Sequence, residues 1–142
     1  MSLNKIKTWA PCLIFLGFLP LASHAVEKSA IELGADQISY HDKQKTSEYL
    51  GHVRIKVGQS VFNGNHMTVH HQGANIPSTL KLEGKPSTFA IDHTQTTIRG
   101  RANSIVIFPK KLIALLIGDA MILNGIETIK SEKIVYHLGV KP

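Results

Sequence analysis

The chain has a single cysteine, Cys12, and it lies in the amino-terminal apolar stretch. Any domain built from the residues that follow has no thiol, which excludes a disulfide framework, a thiolate nucleophile and a Cys-ligated metal. Aromatic residues are scarce, at 6%. Single-stranded nucleic acid is gripped by aromatics interleaved with basic residues on one face. Tyr40, Tyr49, Phe62, Phe89, Phe108 and Tyr136 are too few for that. No run of five like charges, no proline-rich tract and no polar low-complexity stretch occurs, which argues against disorder. Motifs of catalysis are missing too: no Gly-x-Ser-x-Gly, no phosphate-cradling glycine loop, no His-Glu-x-x-His. The carboxylates Asp36, Asp92, Asp119 and Glu132 are scattered, with no sign of a shared cleft. The sequence reads as a non-enzyme with no cofactor and no metal.

What is present is a single domain's worth of chain, 142 residues, with a mild positive balance. Lys plus Arg is 16 and Asp plus Glu is 10. Met1–Ala25 holds Lys5 and Lys7 and no acid, so the remainder carries 14 − 10 = +4. That excess fits an anionic partner without arguing for nucleic acid. Eight histidines are spread along the chain. On a strand, His66 and His70 lie ~13 Å apart and His70 and His71 point to opposite faces. Chelation at helical spacing is therefore unavailable, and the histidines, with His41, His52, His93 and His137, are expected to face solvent.

The first 25 residues have the form of an export signal. Lys5 and Lys7 make a basic start, Trp9–Leu21 an apolar core, and Ala22-Ser23-His24-Ala25 a small-residue cleavage site. The uncharged stretch Thr8–Val26 counts 19 residues, near the ~20 a membrane span needs. Pro11 and Pro20 interrupt it, and a cleaved signal over 1–25 followed by one domain over 26–142 is expected. A signal of this kind on a small domain implies export.

After Ala25 the pattern is that of strands. His52-Val53-Arg54-Ile55-Lys56-Val57 alternates polar and β-branched residues. Lys81-Leu82, Ser104-Ile105-Val106-Ile107 and Lys133-Ile134-Val135-Tyr136 behave alike, punctuated by Gly, Asn, Asp and Pro. Lys110–Leu123 is ambiguous, since Leu112, Leu116, Ala120 and Leu123 recur at helical spacing. An internal repeat resolves it. Shifted by 67 residues, Ala35–Tyr40 falls on Ala102–Ile107, Leu50–Ile55 on Ile117–Ile122, Gly58 on Gly125, Phe62 on Ile129 and Met67–His70 on Ile134–His137. Within each copy a strand start recurs 29 residues on, at Gly64–Met67 and Ser131–Ile134. Leu112–Leu123 thus stands where the alternating Ser47–Lys56 run stands, and a strand broken near Gly118 is expected. Repeated antiparallel strands predict an all-β stack of hairpins with an apolar interior and unpaired end strands.

The inward-facing set expected from the alternation is Ile31, Leu33, Ile38, Val53, Ile55, Phe62, Met67, Phe89, Ile105, Ile107 and Ile122. Arg54, Lys56, Lys85, Arg99 and Arg101 are candidate contacts for phosphate. Leu112–Ile117 is unusually continuous in its apolarity, which implies either burial on both faces or an oligomer contact, since an exposed version would aggregate.

Ala35-Asp36-Gln37-Ile38, then Gly51-His52-Val53-Arg54-Ile55 with Gly58, resembles the LptA or OstA-like family of periplasmic lipopolysaccharide-transport proteins. Gly84-Lys85-Pro86-Ser87-Thr88-Phe89 is similar to that family's Gly-Lys-Pro-Ala-Thr-Phe. Gly100–Ile105, Leu116–Ala120 and Ile129–Tyr136 resemble further family strands in the same order. The resemblance implies a twisted antiparallel β-jellyroll, open at both ends, whose apolar trough holds lipid A acyl chains, with Ile31, Phe89 and Ile107 at positions the family places inside. It implies lipopolysaccharide as ligand, an LptC-type protein as partner at the inner membrane and an LptD-type protein at the outer membrane. A head-to-tail homo-oligomer is implied as well. Family members continue beyond the strand at which this sequence stops, which moves the carboxy-terminal partner contact to Ile134, Val135, Tyr136, His137 and Leu138. Two other readings remain: a membrane-anchored, LptC-like component, and a self-assembling β scaffold without a lipid ligand.

Overall fold

The computed structural model describes residues 31–73, 76–92 and 95–139. The expected leader, the alternative span Thr8–Val26 and His93 lie outside the described residues.

The described residues form eight strands: β1 (Ile31–Gly34), β2 (Gln37–His41), β3 (Thr46–Val57), β4 (Ser60–Gln72), β5 (Ile76–Asp92), β6 (Thr97–Phe108), β7 (Ile113–Asn124) and β8 (Glu127–His137). They form one antiparallel sheet in the order β1-β3-β4-β5-β6-β7-β8, with β2 also paired to β3. From β3 onward each strand pairs with its successor, as hairpin-connected strands do. β2 takes the first half of β3 (Ile38 opposite Tyr49) and β1 the second half (Leu33 opposite Ile55). The stretch that suggested a helix is β7. Ala114, Leu116, Ala120 and Ile122 are buried there while Ile113, Leu115 and Ile117 point the other way, a period of two. The helical spacing was visible only because the outward residues are also apolar.

The repeat is written in the backbone. Left-handed residues recur at the 67-residue offset: Lys45 (φ 53°) and Leu112 (φ 52°), Gly51 (73°) and Gly118 (79°), His52 (43°) and Asp119 (46°), Gly58 (60°) and Gly125 (60°). Short 3-10 turns at Asp42–Gln44 and Pro109–Lys111 precede β3 and β7 in the two copies. The His71 N–H donates to the Lys45 carbonyl, and the Leu138 N–H to the Leu112 carbonyl, both at 2.8 Å.

A line of bulges crosses the sheet. Register slips between Leu50 and Val53, Asn63 and His66, Glu83 and Ser87, Arg101 and Ser104, and Ile117 and Ala120. A bulge bends its strand and sharpens the local twist, so aligned bulges crease the whole sheet. Gly51 and Gly118 sit on the crease; a Cβ at Gly118 would lie 2.7 Å from Asn103 Nδ2, and one at Gly51 would strike Asp36. The crease brings non-neighbouring strands together: the Phe89 ring on β5 lies 5.6 Å from the Tyr136 ring on β8. The apolar face is turned inward and forms one continuous core from Tyr49 to Ile122. Each large side chain fully withdrawn from water contributes about 1.5–3 kcal/mol.

Candidate functional site: an apolar interior open at its ends

The inner face is made by alternation on every strand, and it is full. Ile55, Phe62, Met67, Ile105 and Ile107 have no exposed surface, and Val53, Phe89 and Ile122 are nearly as buried. These eight expected residues are brought together in one cluster, with Val69, Leu80, Leu82 and Leu116 among them. Phe89 stacks on Phe62 with centroids 5.7 Å apart. Its ring lies against Gly100, its cross-strand partner, in space that a Cβ there would occupy. Ser87 is also fully buried on this face, and its hydroxyl has no hydrogen-bond partner among the described residues.

Both ends of the interior are open. At one end Ile31 and Leu33 of β1 are half-buried against the core, while Ile38 and Tyr40 of β2 are 57% and 52% exposed. At the other end Ile129, opposite Ile122, is 52% exposed, and Ile134, Tyr136 and Leu138 are half-buried. β8 pairs only with β7, so the main chain of Ile134, Val135, Tyr136 and His137 lies on a free sheet edge. Val135 and His137 turn their side chains to the outer face and are exposed. Tyr40 and Ile129 escaped the sequence reading. The alignment of Ile129 with Phe62 carried the signal for the second; Tyr40 follows Ile38 by two residues and shares its face.

The five expected phosphate contacts lie on the outside of the sheet. Arg54 and Lys56 alternate with buried Val53, Ile55 and Val57, and Lys56 Nζ is 3.8 Å from Glu32 Oε1. Arg99 and Arg101 flank a shallow groove of about 360 Å³ above Gly100, walled by Ala90, Met121 and Leu123. Lys85 shares a second groove of about 860 Å³ with Arg101, Lys130, Asp119 and Glu132, along the line of bulges. The five are spread over both grooves and β3, not gathered around the interior.

His41, His52 and His66 of the first copy join ion contacts away from the core, whereas His71 is half-buried against Ser47 and Tyr40 rather than facing solvent. His66 stands between Glu48 (Nε2 to Oε1, 2.9 Å) and Glu83 (Nδ1 to Oε2, 3.3 Å), and Lys81 Nζ is 2.7 Å from Glu83 Oε1. The Lys81 hydrogen bond holds the Glu83 carboxyl below its ordinary range, against a smaller opposing effect of burial. Burial raises the phenols of Tyr49 and Tyr136. His52 Nδ1 meets Asp36 Oδ2 at 2.7 Å, and Ser47 Oγ meets His71 Nε2 at 2.7 Å. Among the described residues no group of three or more His, Cys, Asp or Glu is placed to hold a metal ion. No described helix is long and apolar enough to cross a membrane.

A creased antiparallel sheet with a greasy inner face and, among the described residues, an unpaired strand edge at each end defines a β-jellyroll. The family model described as "LptA/(LptD N-terminal domain) LPS transport protein" matches residues 32–140, and the chain belongs to this family of lipopolysaccharide-transport proteins. Among solved structures it is similar to LptH from Pseudomonas aeruginosa, described as the LptA homologous periplasmic component of the lipopolysaccharide transport device. The two share 26% identity with a TM-score of 0.70, over 78% of this chain and 77% of that one. No curated protein matches the chain.

Proposed function

We propose that this protein is a periplasmic carrier that binds lipopolysaccharide by its acyl chains and passes it along a bridge between the inner and outer membranes. The observation that supports it is the inner face itself, a continuous apolar surface that remains exposed at Ile38, Tyr40 and Ile129 at opposite ends of the sheet. Each methylene transferred from water to such a surface is worth ~0.8 kcal/mol, so a multi-chain lipid gains from even partial enclosure. The residues proposed to line the path are Ile31, Leu33, Ile38, Val53, Ile55, Phe62, Met67, Phe89, Ile105, Ile107 and Ile122, joined by Tyr40 and Ile129. Because the central ones are packed against one another, acyl chains enter from the open ends and part the two sides of the creased sheet.

The free edges of β2 and β8 support the rest of the reading. An unpaired strand is a template for another, so copies join head to tail, with an LptC-type protein on one end and an LptD-type domain on the other. Ile134–Leu138 form the carboxy-terminal contact. Arg54, Lys56, Lys85, Arg99 and Arg101 meet lipid phosphates where the headgroup emerges. Residues 1–25 act as a cleaved export signal, and the protein performs no covalent chemistry. The test places charge at the open ends, where it leaves the packed core alone. Ile38→Asp and Ile129→Asp are expected to keep the far-UV spectrum and to lose lipopolysaccharide co-elution on a sizing column. Unchanged loading in the double variant would remove the trough from the account.

A further inference from the structure

The outer face of the second copy has a feature that the first copy lacks and the trough does not need. Val106, Phe108, Ile113, Leu115, Ile117 and Val135 all point away from the core, and their cross-strand pairing (Val106 with Leu115, Phe108 with Ile113, Leu115 with Val135) makes one continuous patch. Ile117 and Val135 are 38% and 53% exposed and the others half-buried. The residues 67 positions earlier are Ser39, His41, Thr46, Glu48, Leu50 and Thr68. The same sheet positions are therefore built with mostly polar side chains in the other half of the same chain. The fold does not demand apolar ones here.

The patch is rimmed by cations. Lys110 and Lys111 stand at the turn entering β7, and Lys133 lies directly opposite Ile117. All three are exposed, and none is ion-paired among the described residues. Lys111 Nζ lies 5.8 Å from the centre of the Phe108 ring. Glu83 on β5 is engaged by Lys81 and His66, and Asp119 and Glu132 lie with Lys130 in the groove along the bulges. Exposed apolar surface edged with lysine on one face suits an anionic lipid surface, where side chains enter the acyl boundary and ammonium groups meet phosphates. A second copy placed face to face would bring Lys110, Lys111 and Lys133 of both copies to one interface.

We infer that the outer face of β6–β8 docks the protein on an anionic phospholipid bilayer, side-on, with the trough turned away from the membrane. This does not rest on lipopolysaccharide loading. The test is sedimentation of the exported protein with vesicles of phosphatidylglycerol and phosphatidylethanolamine in equal parts, and with phosphatidylcholine alone. The outer-face variant combines Val106→Ser, Ile113→Thr and Leu115→Glu, each the residue that the first copy carries. Wild type is expected to bind the anionic vesicles and not the neutral ones. The triple variant should keep its far-UV spectrum and its lipopolysaccharide loading and bind about tenfold or more weakly. Lys110→Gln, Lys111→Gln and Lys133→Gln should each weaken binding about fivefold, and added salt should weaken it further. Equal binding to both vesicles, no binding, or unchanged binding by the triple variant overturns the proposal. So does self-association without vesicles that the triple variant abolishes, which would make a second copy the occupant.

Discussion

The Phe89–Gly100 pair gives the sharpest test of how the interior is built. The Phe89 ring fills the space where a Gly100 Cβ would stand, and it also contacts Phe62 at 5.7 Å and Tyr136 at 5.6 Å. Gly100→Ala should therefore destabilise by about 1–3 kcal/mol through overpacking. The backbone is not the reason, since Gly100 is not among the residues with positive φ. Phe89→Leu loses two aromatic contacts worth about 0.5–1.5 kcal/mol each. In the double variant the shorter Leu leaves room for the methyl group, and replacing a mid-strand glycine recovers about 0.5–1 kcal/mol. The double variant is then expected to be no less stable than Phe89→Leu alone, a coupling of at least about 1–2 kcal/mol. Urea unfolding followed by far-UV circular dichroism measures all four proteins. Additivity within about 0.5 kcal/mol would refute the packing argument.

Two further perturbations test the polar groups. Ser87 carries a buried hydroxyl without a partner, so Ser87→Ala is expected to raise stability by about 1 kcal/mol, read from the urea midpoint; a loss would mean that the hydroxyl is satisfied. Glu83 has a carboxyl held below its ordinary range by Lys81. It contributes stability above its unfolded pKa, and this is lost as pH falls through the lower folded value. The group is 43% exposed, so the contribution is well under about 1 kcal/mol. Glu83→Gln should be slightly less stable than wild type at neutral pH and indistinguishable in strong acid; a gap that widened on acidification would contradict the sign.

Much of this architecture was legible because it repeats. Alternation in His52–Val57 showed which side chains face inward, and the 67-residue offset carried that reading onto Leu112–Leu123, where helical spacing competed. It also placed the break in β7 at Gly118, through its match with Gly51. What could not be read locally is what the crease creates. Phe89 and Tyr136 are brought together by bulges on every intervening strand, and no pattern near either residue announces it. Ile38 has the inward parity expected of it yet lies exposed, because β2 is an end strand with none of the described residues beyond it to cover the side chain. Leu112–Ile117 is not buried on both faces: Ala114 and Leu116 lie in the core while Ile113, Leu115 and Ile117 face outward. Cations were nominated by charge, whereas their direction follows from the same alternation: Arg54 and Lys56 point outward because Val53, Ile55 and Val57 point in.

The central claim is that lipid travels on the inner face. Photo-crosslinking amino acids placed singly at Ile38, Ile129 and Thr68, with radiolabelled lipopolysaccharide added to each purified protein, test it most directly. The account predicts crosslinks from Ile38 and Ile129 and none from Thr68, which faces outward between buried Met67 and Val69. Crosslinks from Thr68 alone, or equal labelling at all three positions, would contradict it.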